Sequence, residues 1–487
     1  MKKFIILFAI SSFIITGCSD FLDIPSKTTL STDVYYKSES DFQESINGAY
    51  AILRDLYSGY DGAFAMGEMR SDNTTYAYNP NDRGTIEGEF IKDFLEEDNN
   101  SVPLHKYADD YSIISNVNYL LDYIDGADFA DSSKNNIKGQ ALFLRAFAYL
   151  DLVQYFGKVP MHLEPVKSLK DTAMPLMSAD SVYLQIISDA SQAATLLPDK
   201  STQEAGRATS GAAHMLLANV YINLRQWAKA EDQLRLITGY SLLSDYAAVF
   251  DPKNKNNAES IFEIQYKQGN EGLNSSFFYT FLAQPITAAE TETITGIPEI
   301  ARIIEGYNIP TPDIINAYED GDLRKEASIG FLTAHGVKYP YIKKYCHAHE
   351  LTGNTDDDWP VYRYSEALLY MAEALNEQGK TEEAATYLNK VRARAGLAST
   401  TASSQDEMRA AIEQERRVEL AFENKRWLDL VHYGQAEAVM KAYGERVKAD
   451  PQAYYYPEGY GPSSQSFTDI RILFSLPASE AALTTYF

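Results

Sequence analysis

The sequence predicts a mainly α-helical protein in which tetratricopeptide-like helix pairs form a scaffold carrying long irregular inserts and few short strands. Apolar residues recur with the helical period over most of the 487-residue chain. Small residues stand where two antiparallel helices would cross, with larger apolar ones beside them, as such pairs need for close packing. Strand patterns are scarce, the best being SIFEIQY, Ser260 to Tyr266, which alternates apolar and polar residues.

In chain order, residues 1–17 read as an export signal. Lys2 and Lys3 form a basic head, Phe4 to Thr16 form an apolar run too short to span a bilayer, and Gly17 precedes Cys18. A cysteine placed so resembles a bacterial lipobox, whose thiol is acylated when the signal is removed, which would make Cys18 the lipidated first residue. The alternative is an ordinary secretory signal with an incidental cysteine.

Residues 18–266 read as an N-terminal part with two helix pairs and an inserted loop region near 57–100. The looser pair joins GQALFLRAFAYLDLVQYFG to SVYLQIISDASQAATLLP, which ends at Pro198. The clearer pair lies in SGAAHMLLANVYINLRQWAKAEDQLRLI, with Ala218 and Tyr221 before a turn near Arg225 to Trp227, and Ala230 and Leu234 after it. Residues 267–487 read as a C-terminal part with an irregular insert, 267–358, and a further pair, 360–395. In that pair Ala372, Leu375, Ala384 and Leu388 coincide with the four earlier positions at a shift of 154 residues. The two parts are expected to form one compact body, with binding residues on the inserts, since loops on a rigid helical frame are the usual place for them.

Composition narrows the function. With 43 basic against 68 acidic residues, a formal charge of -25, the chain repels nucleic acid and anionic head groups, so nucleic-acid binding is excluded. Cys346 is the one cysteine besides Cys18, so a lipidated chain has no internal disulfide and depends on core packing. No later stretch is apolar enough for a membrane span, which leaves a soluble body held to the membrane through its lipid anchor. The 35 tyrosines suit wet binding surfaces as well as helix packing.

The order of several segments resembles the SusD-like (RagB/SusD) outer-membrane lipoproteins of Bacteroidetes. The resemblance begins with CSDFLDIPSKTTLSTDVYYKSESDFQESINGAY, whose Leu-Asp-x-x-Pro entry is followed by Asn47, Gly48 and Tyr50. It continues through GEMRSDN, GQALFLRAFAYLDLVQYFGKVPM, AESIFEI and YEDGDLR. It ends with DWPVYRYSEALLYMAEALNE, ERRVELAFENKRWLDLVHYG and LFSLPASE. The resemblance implies a surface-exposed lipoprotein that captures an oligosaccharide or polysaccharide, or in some members a peptide, without covalent chemistry. It also implies a partner, a SusC-like TonB-dependent outer-membrane barrel that receives the ligand.

A sugar ring stacks its C–H face on an exposed aromatic plane and bonds polar groups at its rim. MRSDNTTYAYNPNDRG supplies Tyr76 and Tyr78 as candidate platforms, with Asp72, Asn73 and Arg83 as polar neighbours on a loop turned by Asn79-Pro80-Asn81-Asp82. A second cluster, SSFFYTFLAQP, offers Phe277, Phe278 and Tyr279, and reads equally as a buried plug. Trp359 before Pro360 matches the family's opening of a repeat helix, so packing is favoured for it.

Signatures of other chemistries are absent: the chain has no HExxH, GxSxG or GxxxxGK[ST]. A surface glycosidase needs only two well-placed carboxylates and stays a rival, as does an adaptor with no ligand site of its own. Glu415, Glu419 and Glu423 share one face of EQERRVELAFENKRWLDL, with Arg416 and Arg426 spaced for i,i+3 pairing to Glu419 and Glu423, a solvated or scaffold-bracing surface read as structural. Cys346, His347, His349 and His335 match no closed zinc site, and Cys346 reads as a small buried apolar residue. No cofactor is expected; calcium stays open through EEDNN and NTDDD, which lack EF-hand spacing. A Cys18→Ser chain should carry no lipid and leave the membrane fraction, as mass spectrometry and cell fractionation would check.

Overall fold

The computed structural model describes residues 35–58, 62–81, 83, 86–168, 171–282, 286–297, 306–334 and 337–482; the export signal and Cys18 lie outside them. Its main helices are α1 (Glu39–Tyr57), α2 (Glu87–Asp93), α3 (Ser101–Ile124), α4 (Asp131–Phe156), α5 (Ala179–Leu196), α6 (Ser210–Asn223) and α7 (Trp227–Arg235). After the second insert come α8 (Tyr364–Glu377), α9 (Thr381–Arg394), α10 (Gln405–Glu419), α11 (Arg426–His432) and α12 (Ala436–Ala449). Capping residues start several of them. Ser38 and Asp41 form a reciprocal capping box on α1, and Ser404 and Glu407 form one on α10.

From Ala141 to Phe156 the helix α4 is apolar except at Arg145, Asp151 and Gln154, and it is buried against α3, α5 and α1. A Cβ on Gly139 would lie 2.9 Å from Leu197, so glycine lets α4 and the end of α5 meet closely. Arg145, inside α4, is neutralised by Asp189 of α5 through two hydrogen bonds of 2.7 and 2.9 Å. The pairs α4–α5, α6–α7 and α8–α9 are the three expected from the pattern. The shift of 154 residues extends to the turns: Arg225 and Gly379 stand at matching positions and both adopt positive φ, 54° and 76°. Glycine takes that conformation at no steric cost, whereas arginine is strained in it.

Although the second and third pairs lie far apart in sequence, α7 packs directly on α8. The predicted strand forms as β4 (Ser260–Ile264), and it pairs antiparallel with β8 (Trp359–Arg363). Three further two-stranded ladders occur among the described residues. They are β1 (Thr74–Thr75) with β5 (Ile309–Pro310), β2 (Val159–Pro160) with β3 (Leu176–Met177), and β6 (Ile329–Ala334) with β7 (Val337–Ile342). The β4–β8 pair closes the insert at its root, so the helical frame is continuous and the insert loops out of it. Here the structure corrects one expectation: Trp359 and Pro360 belong to this strand, and the helix starts only at Tyr364. Pro360, which lacks an N–H, sits opposite Glu263 beside a register irregularity. Trp359 is 1% exposed and stacks on Tyr345 at 5.1 Å, which is packing.

A second correction concerns the acidic face. The chain leaves the helix after Glu419, and the i,i+3 pairs do not form. Arg416 bonds Asp429 at 2.8 Å and Arg426 bonds Asp72 at 2.8 Å. Glu419 and Glu423 instead anchor a buried network. Arg363 reaches Glu423 at 2.7 Å, Glu259 at 3.0 Å and Glu419; Arg324 reaches Glu419 at 3.0 Å and Glu415 at 2.6 Å. Arg394 also bonds Glu419, and Lys344 bonds Glu423 at 2.7 Å. All of these side chains are at most 3% exposed.

Burial alone would raise the Glu419 and Glu423 carboxyls, but the surrounding cations outweigh it and hold both below the ordinary 4.5. A depressed carboxyl contributes stability that is present above that value and is lost as pH falls through the depressed range. Glu415, which burial raises, works the other way. Replacing Glu419 by Gln leaves three guanidinium groups under-neutralised. Urea titrations should show a loss of about 3–5 kcal/mol at neutral pH, with a shallower decline in stability on acidification.

Candidate functional site

Residues 69–84 were expected to hold the candidate binding side chains at the surface, and the structure instead buries 62–77, leaving Tyr78 half-buried. The buried segment begins with a π-helical turn, Ala65–Met69. A Cβ on Gly67 would lie 2.1 Å from the Asn424 side chain, so only glycine fits there. Glu68 accepts hydrogen bonds from the N–H groups of Phe422 and Asn424, both at 3.1 Å, and from Asn73 at 3.2 Å. Burial raises its carboxyl to about 7 despite these donors. Arg70 is sandwiched between Phe94 and Phe474, 4.3 and 4.1 Å from their ring centres, and bonds Glu96 at 2.8 Å.

Asp72 and Asn73 therefore serve the frame and are not open to a ligand. Asp72, 3% exposed, is held by Arg417 and Arg426, each at 2.8 Å. Burial opposes its ionisation, but Arg426 and Arg417 prevail and bring its carboxyl down to about 2. Asn73 accepts from Arg417 at 2.9 Å, and its carbonyl accepts the N–H of Thr311. These contacts set the start of β1, whose ladder with β5 then aims the following residues outward.

Tyr76 is 3% exposed, so its expected role as an open platform is corrected to that of a support. Its hydroxyl donates to Asp93 at 3.2 Å and meets the Tyr456 hydroxyl at 2.6 Å. Asp93 also accepts from Ser466 at 2.8 Å, and burial raises it to about 6 against those hydrogen bonds. Tyr78 is half-buried and stacks on Tyr456, with centroids 5.2 Å apart and planes at 27°. Tyr460, 46% exposed, also packs on Tyr78, 5.4 Å away at 34°. The Arg83 guanidinium lies 4.3 Å over the Tyr78 ring, donates to its hydroxyl at 2.9 Å and pairs with Glu89. Burial raises the Glu89 carboxyl to about 7, even with Arg83 beside it.

The cluster continues along the same chain segment. Tyr455, held at positive φ, donates to the Pro310 carbonyl at 2.9 Å and packs 6.0 Å from Tyr339 of β7. The structure thus brings Tyr78 and Arg83 together with Tyr339, Tyr455, Tyr456 and Tyr460, of which only the first two were expected. The signal for the rest was visible as YYYPEGY, Tyr454 to Tyr460, three tyrosines before a proline-glycine turn. Asn79 accepts the Asn81 N–H at 3.1 Å, as the turn reading required.

Phe278 and Tyr279 lie apart from this cluster. Both are fully buried in a satellite core with Leu282, Ile286, Leu332 and Tyr341, so an exposed role is corrected to a buried plug. The Tyr279 hydroxyl meets His349, while His347 bonds Asp357 at 2.5 Å. Cys346 is half-buried, with its thiol donating to the Ile294 carbonyl at 3.5 Å. Among the described residues no three His, Cys, Asp or Glu side chains converge to hold a metal. Within the acidic loops Glu96 pairs with Arg70 and Arg471, Asp356 bonds Gln268, and Asp358 pairs with Lys255.

Removing the Tyr76 hydroxyl isolates the site's support. Tyr76→Phe leaves Asp93 and Tyr456 each one partner short in a buried setting, so thermal unfolding should report a loss of about 1–3 kcal/mol.

Comparison with known proteins places the geometry in context. Residues 313–484 match the model of the SusD family, and residues 20–222 match a model described as starch-binding associating with outer membrane. SusD-like protein P2 of Formosa agariphila is 29% identical over 477 residues, covering 88% of this chain and 90% of that one. A laminarin-binding SusD-like protein of known structure has a TM-score of 0.74 at 24% identity, covering 92% of this chain and 98% of its own. A SusD homolog from Bacteroides thetaiotaomicron has a TM-score of 0.79 at 18% identity, covering 94% and 98%.

Proposed function

Because this chain belongs to the SusD-like family, we propose that it is a non-catalytic glycan-binding protein of the outer membrane. It is anchored through Cys18, exposed at the cell surface, and delivers oligosaccharide or polysaccharide to a SusC-like TonB-dependent barrel. The observation that carries this reading is the tyrosine cluster. Tyr460, 46% exposed, offers the open plane at one edge, and half-buried Tyr78, packed between Tyr456, Tyr460 and Arg83, supports it with its rim toward solvent; Tyr76 braces the stack through Tyr456. Aromatic faces of this kind receive the C–H face of a sugar ring, and the neighbouring hydroxyls and Arg83 can bond its rim. The names of relatives, one of them laminarin-binding, support a glycan as the ligand class.

A hydrolase is disfavoured by the carboxylates at hand. Glu89 is occupied by Arg83, and Asp93 by Tyr76 and Ser466, which leaves neither free as acid or base toward a bound sugar.

In native gels cast with a panel of plant, host and microbial polysaccharides, one glycan class should retard the protein while keeping its own chain length. The Tyr78→Ala/Tyr460→Ala double variant, still folded by circular dichroism, should bind that glycan at least about tenfold more weakly, or about 1.4 kcal/mol. Unchanged affinity would remove these rings from the site, and shortening of the polysaccharide would replace binding by hydrolysis.

A further inference from the structure

A second cleft, sharing no residue with the tyrosine cluster, opens between α3, residues 160–166 and 172–174, and the helical turn Ala478–Ala481. Its volume is about 340 Å³, within the range of small-molecule sites. Its walls are aromatic: Tyr107 and Tyr111 stand 4.7 Å apart at 46°, and His162 meets Tyr111 edge-on at 6.0 Å and 86°. Met174 adds a flexible apolar surface.

The walls are fixed rather than adaptable. Tyr111 donates to the Pro160 carbonyl at 2.6 Å, Asn118 donates to the His162 carbonyl at 3.0 Å, and Tyr149 bonds both backbone groups of His162. Burial lowers the pKa of the His162 imidazole, which favours its neutral form, and its ring nitrogens bond no described residue. Among the described lining residues the charge is of one sign. Glu164 and Glu480 contribute carboxylates, and no lysine or arginine stands among the described residues that line the cleft. Glu480 comes from the far end of the chain, on a turn pinned by the Ala478 N–H to the Asp98 carbonyl at 2.9 Å. The whole protein, at -25, adds to the attraction for a cation.

We propose that this cleft binds an aryl-alkylammonium ligand, its ring against Tyr107, Tyr111 and Met174 and its ammonium toward Glu480 and Glu164. Apolar walls alone would accept any small ring of suitable size. Electron-rich ring faces joined to the carboxylates of Glu164 and Glu480 select a positive charge on that ring's tail.

The test is isothermal titration calorimetry of the purified protein at pH 7 with tyramine and with its uncharged counterpart, 4-(2-hydroxyethyl)phenol. The expected result is saturable binding of tyramine, at least tenfold tighter than the alcohol and weakened by added salt. Glu480→Gln should lower the tyramine affinity at least fivefold. Ser112→Trp, which places a bulky ring at the exposed rim of α3, should abolish binding while the melting temperature stays unchanged. No saturable heat with tyramine, equal affinity for the two ligands, or undiminished binding by folded Ser112→Trp protein would each overturn the proposal.

Discussion

Glu419 is the point on which the fold closes. Three arginines, at positions 324, 363 and 394, converge on its carboxylate, and each comes from a different stretch of chain. Arg363 ends β8, Arg394 ends α9, and Arg324 belongs to the insert that leaves the frame after β4. One carboxylate thus fixes the root of the insert to both the repeat helices and the strand pair that seals it. An assembly of this kind is costly to desolvate, and apolar residues of equal volume could match it in stability. What it supplies is direction: a guanidinium accepts only a few approach geometries, so the converging segments meet in a single arrangement.

The constraint reaches the tyrosine cluster through the stretch that follows. Glu423, four residues on, is tied into the same network, and the N–H groups on either side of it, of Phe422 and Asn424, donate to Glu68. Arg417 and Arg426 flank this corner and grip Asp72. Residues 68–73 are thereby fastened to the helical frame from above, while Arg70 and Asn73 fasten them from the sides. The tyrosines beyond them inherit that rigidity. Tyr76 passes it to Tyr456 through one hydroxyl, and the stacked ring of Tyr78 rests on the result. A ring held in advance of its ligand loses little conformational entropy on binding.

The helical frame was legible in the chain because its cause is local. Alanines 218, 230, 372 and 384 mark close helix crossings at a repeated spacing, and β4 alternates over its own length. The site was legible only in part. Tyr78 and Arg83 lie five residues apart and carry their relation in the sequence. Asp72 and Asn73 looked like loop residues because their partners, Arg417 and Arg426, lie more than three hundred positions away. The same distance hid the role of Tyr456 and Tyr460, which join the cluster only once α12 has returned the chain to β1. The acidic face misled for a related reason. Spacing along an ideal helix puts Arg426 beside Glu423, but the helix ends at Glu419 and the two residues turn to different partners.

Residues 467–478 are laced over the segment 70–98 and the end of α4. Arg70 donates to the Arg471 carbonyl across 401 residues, Phe467 bonds Asp93, Phe474 bonds Tyr155 and Ala478 bonds Asp98. Closing so long a loop is thermodynamically mild, since each doubling of length adds only about 0.6 kcal/mol, but it sets an order of events. A chain delivered amino end first presents Arg70, Glu96 and the aromatic rings around them long before their final partners arrive. Until the closing segment is released, that surface is sticky and charged at once, and a protein made this way depends on being kept apart from its neighbours during the wait.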